Sequence, residues 1–146
     1  MYQSTLEWIE KNWDESLTLR QWWRLINDAQ LSFPRWPSAW FGRDANEREQ
    51  NDISRAFADA RVIGAPSGLG VLMGAPITMT FGNDEQKQRW LPALATGVEG
   101  WCQLFSEPGA GSDLASVSCR AERDGDEWII NGQKVWTSGA LHSRRG

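Results

Sequence analysis

Residues 105 to 114, Phe105-Ser106-Glu107-Pro108-Gly109-Ala110-Gly111-Ser112-Asp113-Leu114, bring together residue types that can hold a charged ligand. Gly109 and Gly111 let a backbone approach something closely, and successive N–H groups in such a loop can form an anion-binding nest. Ser106 and Ser112 add hydroxyl donors, and Pro108 stiffens the entry. Two readings are open from chemistry alone. One is a loop that cradles a phosphate or cofactor at a strand end, and the other is a tight, well hydrogen-bonded turn.

Other combinations carry less. Two cysteines and one histidine nearly exclude a structural zinc site, which needs four closely spaced ligands. Cys102 and Cys119 read as reduced thiols and small core hydrophobes. Gly68, Gly70 and Gly74 miss the dinucleotide fingerprint, because the third glycine comes one position late and no strand–turn–helix alternation surrounds it. His142 beside Ser143 is no hydrolase pair, since sequence neighbours do not define a triad. The ten tryptophans against one tyrosine invite a stacking platform for sugars or bases, but Trp8, Trp13, Trp22 and Trp23 stand at helical spacing and read as core and interface residues.

The elements that must position the loop fall into two kinds. Helices come first. Thr5 would cap a short helix through about Asn12. Thr18 and Gln21 stand at capping-box spacing, and Leu19, Trp22, Trp23 and Ile26 then form one apolar stripe. The run Phe33-Pro34-Arg35-Trp36-Pro37 stops that helix. A third helix is expected from Asn46 to about Val62 with Ile53, Phe57 and Ala60 inward, then a buried helix from Leu69 to Phe81. Asn83 and Gln86 repeat the capping spacing ahead of a helix to about Ala95 with Trp90, Leu91 and Leu94 inward. Pro92 should kink or end it early, and Gly97 suits the left-handed position beyond it.

Strands follow. Trp101 to Phe105 is an apolar run of strand length. Val117, Cys119 and Ala121 alternate with polar residues as in a half-buried strand. Asp124-Gly125 signals a hairpin into Trp128-Ile129-Ile130, and Asn131-Gly132 turns into a further strand over Gln133 to Ser138. The fold class is therefore α+β: a helical domain over 1–98 and the first antiparallel strands of an incomplete β-domain over 99–146. Three or four short strands ending at Gly146 would leave open edges and an uncovered face, so the chain is expected to stop before its second domain does.

A length of 146 residues suits a globular protein with a real core, and a net charge of −4 argues against a broad nucleic-acid-binding surface. The uncharged stretch Val62 to Asn83 holds Pro66, Pro76 and five glycines, so it is too broken to span a membrane. With no signal peptide evident and both thiols read as reduced, the expected location is cytoplasmic.

The run Trp101 to Ala115 closely resembles the signature of acyl-CoA dehydrogenases, and so does Gly125 to Ala140, at the expected distance. Trp36-Pro37 with Gly42-Arg43, and Phe81-Gly82 with Glu85-Gln86-Lys87 and Leu91-Pro92, extend the likeness upstream. The resemblance implies an FAD flavoprotein that oxidises an acyl-CoA to its 2,3-enoyl-CoA and passes electrons to an electron-transferring flavoprotein, with a homo-oligomer for the full-length protein. It implies that Gln103, Phe105 and Ser106 touch the isoalloxazine, and that Gly111 and Ser112 approach the pyrophosphate, with Ser112 also near the substrate. It further implies that Trp136 and Thr137 pack on the ring and that the Ser138 hydroxyl reaches the N5 region. Family members are more than twice as long, and the catalytic glutamate comes from a C-terminal helical domain with no counterpart here. Glu107 is not that base, so no residue receives the catalytic role. A non-catalytic remnant and an unrelated Trp-rich binding module are the competing readings.

Overall fold

In a computed structural model describing residues 1–146, the chain forms five α-helices followed by one antiparallel pair of strands, the α+β class expected. It divides into two compact units, Met1–Gly100 and Trp101–Gly146. No helix is long and apolar enough to cross a membrane.

The first unit holds α1 (Tyr2–Asn12), α2 (Leu19–Asp28), α3 (Glu47–Asp59), α4 (Ala75–Phe81) and α5 (Asp84–Ala95). Three of them start where side chains satisfy orphan backbone donors. Thr18 with Gln21, Asn46 with Glu49 and Asn83 with Gln86 each form a reciprocal capping box. The α1 start differs from expectation. The helix begins at Tyr2, and Thr5 lies buried within it, its hydroxyl donating to the Met1 carbonyl at 3.0 Å.

The core is built around Trp22, which is 0% exposed and packs with Ile9, Ile26, Leu31, Ile53, Ala56 and Phe57. Trp8 stacks on it at 5.5 Å, Trp13 meets it edge-on at 4.8 Å, and Phe57 lies tilted at 6.2 Å. Each such pair contributes about 0.5–1.5 kcal/mol beyond burial. The indole N–H groups are satisfied as well, Trp22 donating to the Ile63 carbonyl at 2.6 Å and Trp23 to that of Gly64 at 2.8 Å. The tryptophans are thus core, and they pin the Gly-rich stretch against α2.

Beyond α2, Arg43 and Ala45 both donate backbone N–H bonds to the Pro34 carbonyl, folding residues 34–45 back on themselves. A Cβ on Gly42 would run into the Trp36 carbonyl, so the turn admits only glycine there.

Two helical expectations need correction. Gly70–Gly74 is a π-helical turn leading into α4, and the pair is buried on one side only: Gly70, Val71, Ala75 and Thr78 are buried, while Leu72, Met73, Ile77 and Phe81 are exposed, Phe81 by 82%. Apolar content alone cannot distinguish a buried helix from one with an uncovered face. Pro92 does not end α5, which continues to Ala95. The proline lacks only its own N–H, and its carbonyl still accepts from the Thr96 N–H at 3.0 Å and hydroxyl at 2.7 Å.

In the second unit, β1 (Arg120–Asp124) pairs with β2 (Glu127–Asn131) in the register Arg120↔Asn131 to Asp124↔Glu127, closed by a two-residue turn with Gly125 at φ +60°. The hairpin falls where Asp124-Gly125 signalled it. The strand expected from Val117 starts later and is exposed throughout rather than half-buried. Trp101–Phe105 and Gln133–Ser138 do not form strands. A strand needs a partner's ladder, and what these runs show is isolated pairing: Trp101 bridges Arg145, with the Cys102 N–H on the Arg145 carbonyl at 2.9 Å, and the Val135 N–H meets the Ser106 carbonyl at 2.9 Å.

Gly97 sits at φ +64°, and a Cβ there would come within 2.5 Å of the Trp23 ring. Gly97→Ala should therefore destabilise the first unit by about 1–3 kcal/mol. Gly64, whose Cβ would meet nothing within 4 Å, should tolerate alanine nearly neutrally. Urea denaturation of the two variants against the parent checks both.

Candidate functional site

The loop that carried the chemistry in the sequence closes on itself. Glu107 N–H donates to the Ala110 carbonyl at 2.7 Å and Ala110 N–H returns to that of Glu107 at 3.1 Å, making a tight turn with Pro108 at its first corner. A hydrogen-bonded turn is thus present, but it leaves residues over. The N–H groups of Gly109, Gly111 and Ser112, and the Ser106 and Ser112 hydroxyls, have no hydrogen-bond partner within the chain.

Glu107 anchors this turn. Its carboxylate accepts from Ser118 N–H at 2.7 Å, the Ser118 hydroxyl at 3.0 Å, Cys119 N–H at 2.9 Å and the Lys134 ammonium at 2.8 Å. Lys134 also donates to the Phe105 carbonyl at 3.0 Å. Only Glu107 and Ala110 are buried among residues 101–146, Glu107 being 6% exposed. The Lys134 ammonium, followed by the Ser118 N–H, holds the Glu107 carboxyl down at about 2, against the 4.5 of an ordinary glutamate.

Beside the turn lies a recess of about 700 Å³ lined by residues 106–112 and Trp136. The lining unites Ser106, Gly111, Ser112 and Trp136 from the set singled out in the sequence. Gln103, Phe105, Thr137 and Ser138 stay outside it, although each is within three residues of a lining residue. Gly109 and Gly111 have ordinary φ, and a Cβ on either would meet nothing within 4 Å. The fold itself therefore has no need of glycine there, and what the glycines provide is a bare floor.

Trp136 is the reverse case. It is 89% exposed and held at φ +59°, a region that a bulky side chain occupies only under constraint. A recess that joins a strained, exposed indole to bare glycines and unsatisfied N–H and O–H donors can take a flat ring against the indole and an anion along the loop.

Sequence reasoning missed Glu107 and Lys134 as a pair and Ser118 altogether. Twenty-seven residues separate the ion pair, and no periodicity connects them.

The chain matches the family model "Acyl-CoA dehydrogenase, N-terminal domain" over residues 2–98 and "Acyl-CoA dehydrogenase, middle domain" over 102–145. The chain belongs to the acyl-CoA dehydrogenase family. It is 41% identical over 119 residues to acyl-CoA dehydrogenase IpdE1 of Mycobacterium tuberculosis, matching 82% of this chain and 31% of that protein. It is 44% identical over 121 residues to acyl-CoA dehydrogenase FadE34 of the same organism, matching 83% of this chain and 17% of that one. Among solved structures it is similar to the Tcur3481–Tcur3483 steroid ACAD, with a TM-score of 0.66 and 32% identity over 86% of this chain and 32% of that one. The chain thus spans a third or less of these relatives.

A carboxyl with its pKa lowered by folding contributes stability above its unfolded value and loses it as pH falls toward the folded one. The second unit should lose stability between about pH 4.5 and 2 as Glu107 protonates. Carbon-detected titration should place the Glu107 midpoint near 2, and Glu107→Gln should remove that part of the acid transition.

Proposed function

We propose that residues 1–98 are the helical domain, and 99–146 the first part of the middle β-domain, of an FAD-dependent enzyme that oxidises an acyl-CoA thioester to its 2,3-enoyl-CoA. The observation that carries this reading is the recess itself: a bare glycine floor, unsatisfied donors and the strained, exposed Trp136. When bound, FAD supplies the hydride acceptor for the β-carbon.

The residues divide the work by chemistry. Gly111 and Ser112 present backbone N–H groups, and Ser112 a hydroxyl, to the pyrophosphate, with Ser112 also near the substrate. The indole of Trp136 covers one ring face, with Thr137 beside it. Ser106 and Ser138 offer hydroxyl donors to the polar ring edge, while Gln103 and Phe105 complete the contact surface around the isoalloxazine. Glu107 does not act as the base, because the four donors that engage its carboxylate leave it too weakly basic to take a proton from the α-carbon. No residue of the chain takes that role.

An acyl-CoA is the substrate of this reading and an electron-transferring flavoprotein the acceptor, in a cytoplasmic homo-oligomer of the whole protein. The similar Tcur3481–Tcur3483 protein is a steroid ACAD, which makes a CoA thioester of a polycyclic acid the first substrate class to try.

Titration of the purified chain with FAD should shift the flavin absorbance bands and quench flavin fluorescence. Trp136→Ala should weaken that binding roughly tenfold, since a stacked aromatic face contributes about 1–3 kcal/mol. Gly111→Val should abolish it. No spectral change with FAD, or equal affinity for parent and Trp136→Ala, overturns the reading. The chain by itself should turn over no acyl-CoA in a dye-reduction assay.

A further inference from the structure

We propose that Glu107 and Lys134 are positioning residues that set the separation between the two walls of the recess: the serine-bearing turn on one side and the segment carrying Trp136 on the other. The inference rests on the flavin reading of that recess but concerns the chain's own geometry. Glu107 lies in the turn and Lys134 two residues before Trp136, and their side chains meet at 2.8 Å. Lys134 adds a bond to the Phe105 carbonyl at 3.0 Å, and the adjacent Val135 N–H donates to the Ser106 carbonyl at 2.9 Å. Ser106 and Glu107 of one wall, with Phe105 leading into it, are thereby keyed to two consecutive residues that lead into the other. The other carboxylate oxygen, Oε2, is fixed by the Ser118 N–H and hydroxyl at the entry to β1, and Cys119 N–H shares Oε1 with Lys134, so the pair cannot slide as a unit.

An ion pair is a poor device for stability alone. Exposed pairs contribute little, and buried ones rarely outperform apolar packing. A charge-assisted pair does fix distance and direction better than apolar contact can. Its place here is telling, because residues 101–146 bury this carboxylate and no cluster of apolar side chains. The strain at Trp136, φ +59°, begins two residues past Lys134. The anchored end holds that conformation against relaxation.

The test uses the whole chain with three substitutions: Lys134→Met, which removes the charge and keeps much of the volume, Lys134→Arg as the conservative rescue, and Glu107→Gln. Amide hydrogen exchange reports the Val135 N–H, with the β1–β2 ladder amides as the internal control, and FAD titration with visible circular dichroism reports the flavin environment. Lys134→Met should speed Val135 exchange about tenfold, the effect of losing one hydrogen bond to a charged group, while the ladder amides change less than about twofold. The same variant should weaken FAD binding about tenfold and alter the bound-flavin dichroism, and Lys134→Arg should restore both. Glu107→Gln, which also weakens the hold on the Ser118 and Cys119 N–H groups, should speed Val135 exchange and weaken FAD binding as Lys134→Met does, and should cost the ladder amides protection as well. Unchanged Val135 exchange in Lys134→Met overturns the proposal, and so does equal loss of protection at Val135 and along the ladder in that variant, which is general destabilisation. Should the parent chain bind no FAD, the flavin reading falls, and the exchange pattern still decides the positioning role by itself.

Discussion

One carboxylate organises the second unit. Glu107 accepts four donors from two separated segments: Lys134 on one, and the consecutive residues Ser118 and Cys119 on the other. Every other residue from 101 to 146 except Ala110 retains appreciable exposure, so hydrophobic burial contributes little to holding these segments together. A two-stranded ribbon exposed on both faces is marginal in water without further support. Directional bonds to a single ionised group supply that support, and they make the local geometry depend on charge rather than on packing.

The first unit follows the opposite logic. Its order derives from a tryptophan cluster centred on Trp22, with Trp8, Trp13 and Phe57 around it and α1, α2 and α3 supplying the walls. Polar groups there serve the ends of elements. Capping boxes start α2, α3 and α5, and the two indole N–H bonds to Ile63 and Gly64 tie down a stretch too rich in glycine to order itself. The chain therefore uses packing where helices can present apolar stripes and charge where short extended segments cannot.

That contrast explains what could be read in the sequence. Signals that act over three or four residues were legible: the boxes at Thr18 and Asn83, the stripe through Trp22 and Ile26, the turn at Gly125, the left-handed Gly97. Signals that depend on a distant partner were not. Trp101–Phe105 and Gln133–Ser138 have the composition of strands but no ladder to join, and α4 has the composition of a buried helix with an apolar face left open. At the candidate site the resemblance supplied the residue set, and geometry sorted it. Ser106, Gly111, Ser112 and Trp136 converge on one recess, whereas Gln103, Phe105, Thr137 and Ser138 lie outside its lining. The Glu107–Lys134 contact has no local signature, since only the folded chain brings positions 27 residues apart to 2.8 Å.

The features that look like defects in the second unit lie on one surface. Exposed Trp136 carries positive-φ strain, Gly109 and Gly111 give up side chains that the fold would accommodate, and Ser106 and Ser112, whose hydroxyls have no partners, line the recess. Each is unfavourable or neutral for the isolated chain, because strain costs about 1–3 kcal/mol and absent side chains forgo burial. Scattered, they would be unremarkable irregularities of a small ribbon. Gathered around one recess and braced by one ion pair, they share a single physical rationale. Such a surface would suit a ligand that covers an indole, lies close along a bare backbone and accepts hydrogen bonds, and a ligand bound only to the folded form returns stability by mass action.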